Sequence, residues 1–322
     1  MNSRSSFFLI LGVFLLGLFL MGCGVEPEPA DAEQVVSVSI PPQMYLVERI
    51  AGPGVQVNTL VQGGESPATY QPTDRQVSQV LRSRVYFRIG VPFEHGRWLD
   101  AIRDSGALMK VVDLREGIAL RYFGGCSHAE TETGAHDSPG RKAAMQEASG
   151  PEEAEHDHAH EGADPHIWLA PVNLITMSRT IAKALGEINP VQADQYQARL
   201  DTLVSELEAL HEELKKILSP YAGKCIFIYH PAWGYFCDAY GLVQVAIEFE
   251  GKEPSDEELS RVQEKMRATK AKVIFAQPQI AGKAVEAVAH AVGVKVVILD
   301  PLEADLLQNL RHAARTIADS FK

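Results

Sequence analysis

The chain has 322 residues, with 30 lysines and arginines against 42 aspartates and glutamates, for a formal net charge of −12. An acidic surface of that size repels a phosphate backbone, so nucleic acid is excluded as an expected partner. The length is enough for two domains of ordinary size.

The first residues read as a targeting segment. Arg4 supplies a positive start, residues 7–21 are an apolar stretch short for a membrane span, and Leu20-Met21-Gly22-Cys23 places a small residue before cysteine. This is the pattern of a lipoprotein signal peptide over 1–22, with Cys23 lipidated as the mature N-terminus; a plain secretory signal or a short anchor helix is the alternative. Residues 23–33, rich in proline and acid, read as a tether. The folded part is therefore expected outside the cytoplasm, on the periplasmic or extracellular face of a membrane. No later stretch is apolar enough to cross a bilayer.

Short β-rich runs at 35–40, 55–61, 85–89 and 110–114 alternate with helical stretches such as 43–50 and 74–82. A second set of runs at 224–229, 242–247, 272–276 and 294–299 again alternates with helices. Such alternation predicts an α/β protein of two lobes, each a mostly parallel sheet flanked by helices. Between the sets, residues 191–217 place Leu200, Leu203, Val204, Leu207, Leu210, Leu214 and Ile217 at spacings of three and four, between Pro190 and Pro220. This predicts a rigid backbone helix of roughly 40 Å joining the lobes. A coiled-coil dimer stripe is the competing reading; barely four heptads argue against it, and a monomer is expected. The lobes are then 34–190 and 219–322, with the linking helix at 191–218. Ser255 and Glu258 spell a capping box for a further helix.

Residues 123–163 form an acidic, histidine-bearing loop, with nine acids against two bases (2 − 9 = −7) and five of the eleven histidines. His156, His158 and His160 alternate with acid and alanine, a pattern that offers weak, interchangeable sites to borderline cations. The bland reading is a solvated insert. Three candidate ligands sit near predicted strand ends or stiff turns. His230 follows the run ending at Tyr229, Asp300 follows the run ending at Leu299, and His166 follows Asp164-Pro165 with Trp168 as a nearby apolar anchor. In open parallel sheets ligands bind beyond the carboxyl ends of the strands. Two imidazoles and a carboxylate suit Zn2+ and accommodate other divalent ions. Singly, each residue is as well explained as a structural histidine or a turn-forming aspartate.

The segments Gly90-Val91-Pro92-Phe93-Glu94, Asp164-Pro165-His166-Ile167-Trp168-Leu169-Ala170-Pro171, Tyr229-His230-Pro231-Ala232-Trp233-Gly234-Tyr235-Phe236 and Leu299-Asp300-Pro301-Leu302 occur in an order that resembles the metal-specific solute-binding proteins of bacterial ABC importers, the ZnuA-like or TroA-like group. The resemblance spans essentially the whole mature chain. It implies two α/β lobes on a backbone helix, one divalent cation in the cleft, delivery to a membrane permease, and His166, His230 and Asp300 as ligands. It also implies that a His-rich insert before Asp-Pro-His marks a zinc member, with Mn2+ the alternative ion. One family ligand is missing: where a histidine normally follows proline, Pro67-Ala68-Thr69-Tyr70-Gln71-Pro72 has Ala68. Water, Glu65 or a loop imidazole from His156, His158 or His160 could fill that place, and the coincidence of Ala68 with the long insert favours the loop.

A zinc hydrolase is a competing reading, but the chain has no His-Glu-x-x-His helix and no recognisable general base. A surface adhesin is compatible with a lipid-anchored exported chain, and so is a receptor for a metal chelate. Tyr229, Trp233, Tyr235 and Phe236 are read as an apolar wall around His230. Gly63-Gly64 reads as a tight turn, and His95, His211, His290 and His312 as surface or packing residues. Cys126, Cys225 and Cys237 are an odd set, and a Cys225–Cys237 bridge looks geometrically poor.

Overall fold

The structure, a computed structural model, describes residues 34–104, 108–122, 162–248, 254–280 and 282–322. Cys23, Cys126, His156, His158 and His160 lie outside the described residues, as do the leader and the tether.

All eight strands read from the sequence form, and every pairing between them is parallel. The first sheet contains β1 (Gln34–Val38), β2 (Val55–Thr59), β3 (Val85–Arg88) and β4 (Lys110–Asp113) in the order β2-β1-β3-β4. The second contains β5 (Cys225–Ile228), β6 (Val243–Ala246), β7 (Val273–Ala276) and β8 (Lys295–Ile298) in the order β6-β5-β7-β8. The two halves thus repeat one topology without a visible sequence repeat. In each, the order reverses beside the first strand, which opens a crevice at the carboxyl edge. Backbone pairing runs past the nominal strand ends, as where Leu60 and Val61 donate to Val38 and Ser39.

Helices α1 (Pro41–Ala51), α2 (Asp74–Leu81), α3 (Arg97–Asp104) and α4 (Pro171–Ile188) accompany the first sheet. Helices α6 (Gly234–Tyr240), α7 (Asp256–Thr269), α8 (Lys283–Val292) and α9 (Leu306–Ser320) accompany the second. Between them runs α5 (Ala193–Leu218), 26 residues long or about 39 Å. It begins slightly later than its apolar pattern suggests, because Pro190–Gln192 forms a separate 3-10 turn that leaves Val191 exposed. Tyr196, Leu200, Leu203, Leu207, Leu210, Leu214 and Leu218 make its buried stripe against α1, α4 and α9. Each buried leucine there contributes roughly 2 kcal/mol. The capping box forms as written, Ser255 N–H donating to Glu258 Oε2 at 2.8 Å and Glu258 N–H to Ser255 Oγ at 3.4 Å.

One apolar core runs without a break from Val36 and Phe87 through Leu174, Leu185 and the α5 stripe to Ile226, Trp233, Leu310 and Ile317. A smaller cluster of Phe227, Tyr229, Ile247, Met266 and Ile274 lies against α7 and α8. At the carboxyl edge of the first sheet, buried Glu94 accepts from Ile89 N–H at 3.0 Å, from Gly90 N–H at 2.6 Å, and from the Ser39 hydroxyl. Burial pushes its carboxyl up, while these donors and Arg88 pull it back. Gly90 takes φ +86°, which lets its amide face that carboxylate. Neither Cys225 nor Cys237 forms a disulfide. Among the described residues no helix is long and apolar enough to cross a membrane.

Candidate metal centre

His166 is delivered by a stiff turn. Pro165 restricts the chain, His166 precedes the 3-10 turn Ile167–Leu169, and α4 follows. Its backbone N–H and its Nδ1 both reach Asp164 Oδ1, at 3.0 and 2.7 Å. Asp164 is only 1% exposed and is itself held: its N–H donates to Arg121 O at 2.7 Å, and the Arg121 guanidinium stands 3.4 Å from Oδ2. Tyr235 donates its hydroxyl to Asp164 O at 3.1 Å and accepts from Arg121 N–H at 2.9 Å. A β-bridge between Tyr122 and Ala163 joins the two ends of the acidic loop beside this cluster.

His230 stands two residues beyond β5. Its Nδ1 lies 3.1 Å from Oε1 of Glu248, a residue 5% exposed whose N–H donates to Tyr229 O at 2.9 Å. The two imidazoles therefore have the same arrangement, each with Nδ1 on a buried carboxylate, which can only accept a proton from it, and Nε2 on the opposite side of the ring. The rings meet edge to face with centroids 5.4 Å apart. A tetrahedral zinc about 2 Å from each Nε2 would set the centroids about 5 Å apart. Burial holds the His166 imidazole below the ordinary histidine range, the neighbouring His230 adding to the effect and Asp164 opposing it. A neutral ring is the form that coordinates a cation.

Asp300 follows β8. Its Oδ1 accepts from Leu302 N–H at 2.9 Å and from Gln279 Nε2 at 3.0 Å, which leaves Oδ2 without a hydrogen-bond partner among the described residues. The adjoining Pro301 carbonyl accepts from Trp168 Nε1–H at 2.7 Å, and Trp168 packs 5.2 Å from the His166 ring. Through that tryptophan the Asp300 turn is tied to the imidazole pair. Among the described residues no three histidine, cysteine or acidic side chains already stand together as an ion cage. The imidazoles are paired, but the expected convergence of Asp300 with them is not seen among the described residues.

The other expected residues fall elsewhere. Glu65 is exposed and turns back on its own loop, accepting from Gln62 N–H at 2.9 Å, where Gly64 at φ +88° makes the tight turn. Ala68 is exposed and offers a methyl group. The aromatic wall needs correction. Trp233 packs on Phe236 and Phe236 on Tyr240 within the core, Tyr229 belongs to the smaller cluster, and Tyr235 acts through its hydroxyl on Asp164. Trp168 packs on the candidate ligand His166. His95, His290 and His312 are exposed, and His211 sits 3.3 Å from the Tyr240 hydroxyl. Two surface hollows of about 500 and 480 Å³ lie between α4 and α5 and against β2, and neither is lined by His166, His230 or Asp300.

Two parallel sheets of identical order, a spine helix, and paired imidazoles at the carboxyl edge define a two-lobed solute-binding protein for a metal ion. Residues 36–320 match the family of the periplasmic zinc-uptake complex component A, ZnuA, and the chain belongs to that family. The family is one of solute-binding proteins, not enzymes. A solved structure of ZnuA is 34% identical, with TM-score 0.74, covering 90% of this chain and 99% of that one. A ZnuA deletion mutant with zinc bound is 35% identical over 90% of this chain and 98% of that one, also with TM-score 0.74. The zinc-binding lipoprotein AdcA of Streptococcus pneumoniae is 26% identical over 292 residues, 90% of this chain but 54% of AdcA. The chain thus spans about half of that relative. A Chlamydia muridarum protein is 28% identical over 95% of this chain and 99% of its own length.

Proposed function

We propose that this chain is the extracytoplasmic receptor of a zinc importer, capturing Zn2+ with His166, His230 and Asp300 and passing it to the permease of an ABC transporter. The observation that carries the reading is the pair of imidazoles, each with Nδ1 on a buried carboxylate and Nε2 left to bind. Two nitrogens favour Zn2+ over Mn2+, which prefers an all-oxygen shell. The lobes are 34–190 and 219–322 on the linking helix 191–218. The protein works as a monomer held at the membrane by a lipid on Cys23. His156, His158 and His160 are auxiliary donors that present the ion to the fixed site. The joined ends of the loop beside His166 support that role.

Metal analysis of protein purified without added metal, followed by competition among Zn2+, Mn2+ and Fe2+, tests the reading. Zinc is expected to be retained preferentially, and H166A and H230A to abolish tight binding. Retention of tight binding by both variants would overturn the assignment. Removing most of residues 123–163 is expected to weaken zinc capture and A68H to strengthen it; unchanged affinity after shortening makes the loop a collector only.

A further inference from the structure

At the carboxyl edge of the second sheet one buried polar atom has no hydrogen-bond partner among the described residues. Gln279, three residues beyond β7, donates from Nε2 to Asp300 Oδ1 at 3.0 Å, while its Oε1 is buried with no hydrogen-bond partner among the described residues. The orientation of this amide is determined by its neighbour. Flipped, its oxygen would oppose a carboxylate oxygen, two acceptors in contact. The carbonyl is thereby committed to the other side of the amide, unpaired. Buried oxygens are ordinarily satisfied by protein, water or an ion. Thr59 Oγ1, Arg88 Nε and Ser178 Oγ also lack a hydrogen-bond partner among the described residues, though Arg88 Nε stands 3.7 Å from the carboxylates of Glu94 and Asp113; Gln279 alone of the four is bonded to a candidate ligand.

We propose that Gln279 is an oxygen donor to the captured cation, occupying the place in the shell that Ala68 leaves open, while its Nε2 holds Asp300 with Oδ2 turned to the ion. This rests on the zinc-capture reading above. Side-chain amide oxygens are ordinary donors to divalent cations. Two imidazole nitrogens with two oxygens make a harder set than three nitrogens with one oxygen, so Gln279 also sets how strongly the site prefers Zn2+ to Mn2+.

Zn2+ and Mn2+ affinities of the full chain, Q279M, Q279E and H230A test the proposal. Q279M keeps the side-chain length and removes both polar atoms; it is expected to weaken Zn2+ binding about 10- to 100-fold and to widen the preference for Zn2+ over Mn2+. Q279E loses the donor to Asp300 but keeps an oxygen for the ion, and is expected to bind both ions at least as tightly as the parent chain. A residue that merely orients Asp300 gives the opposite result, because Q279E sets two carboxylates against each other. Q279M within twofold of the parent, or Q279E weaker than Q279M, overturns the proposal. So does a loss on shortening 123–163 with Q279M silent, since a loop imidazole then fills the place. Undiminished binding by H230A overturns the zinc-capture reading itself.

Discussion

Replacing Asp164 separates the charge behind His166 from the hydrogen bond it makes. Oδ1 of Asp164 takes the His166 Nδ1–H at 2.7 Å and the backbone N–H at 3.0 Å, in a side chain almost fully shielded from water. A hydrogen bond to a charged group is worth about 1.5–3 kcal/mol and a neutral one about 0.5–1.5 kcal/mol. D164N retains an oxygen toward the ring and loses the charge, so about 1–1.5 kcal/mol of ligand positioning disappears. Since 1.4 kcal/mol is tenfold, zinc affinity should fall about tenfold. D164A removes the acceptor and frees the ring to carry its proton on Nε2, the nitrogen meant for the ion; about a 100-fold loss is expected. Competition against a fluorescent zinc chelator at neutral pH, with melting curves to confirm folding, measures both. Equal affinities for D164N, D164A and the parent chain would refute the reasoning.

Trp168 links the two halves of the site, so W168F, which deletes the bond to Pro301 O at 2.7 Å, should lower zinc affinity, whereas H211A should not; chelator competition reads both. Gly90 stands at φ +86°, and a Cβ there would approach the Arg115 guanidinium to 2.6 Å. G90A should therefore cost about 1–3 kcal/mol of stability in denaturant titration, with zinc affinity retained. Burial depresses the His166 imidazole, so the unfolded chain takes up a proton that the metal-free fold refuses. Stability of the metal-free protein should then drop as pH falls below about 6.5, and H166Q should flatten that slope in melting curves. Zinc affinity should weaken in the same direction, because a protonated ring cannot bind.

Strand positions were legible because short β-branched runs alternate with helical ones, and the α5 stripe because leucines at three and four spacing can be buried on one side only. The identical strand orders were not legible, since topology depends on which strands pair and similar apolar runs carry no address. The candidate ligands His166, His230 and Asp300 could be picked out from their place after strand ends or a proline turn. Glu248 and Gln279 could not. They come from different strands of the second sheet and acquire meaning only when β6 and β8 are laid on either side of β5 and β7. An acid two residues past a strand end, as Glu248 is, was the available clue. Arg121 gave none, because its guanidinium serves Asp164 across the whole acidic loop. Tyr235 was misread because an aromatic ring beside a histidine suggests packing, whereas its hydroxyl does the work here.

The unbroken apolar core has a thermal consequence. With side chains of β1, α4, α5 and α9 sharing one cluster, the spine and the sheets it joins should melt together, the smaller cluster against α7 and α8 being packed beside them. Calorimetry should record a single endotherm, and saturating zinc should move the whole peak upward although the ion touches only a few side chains.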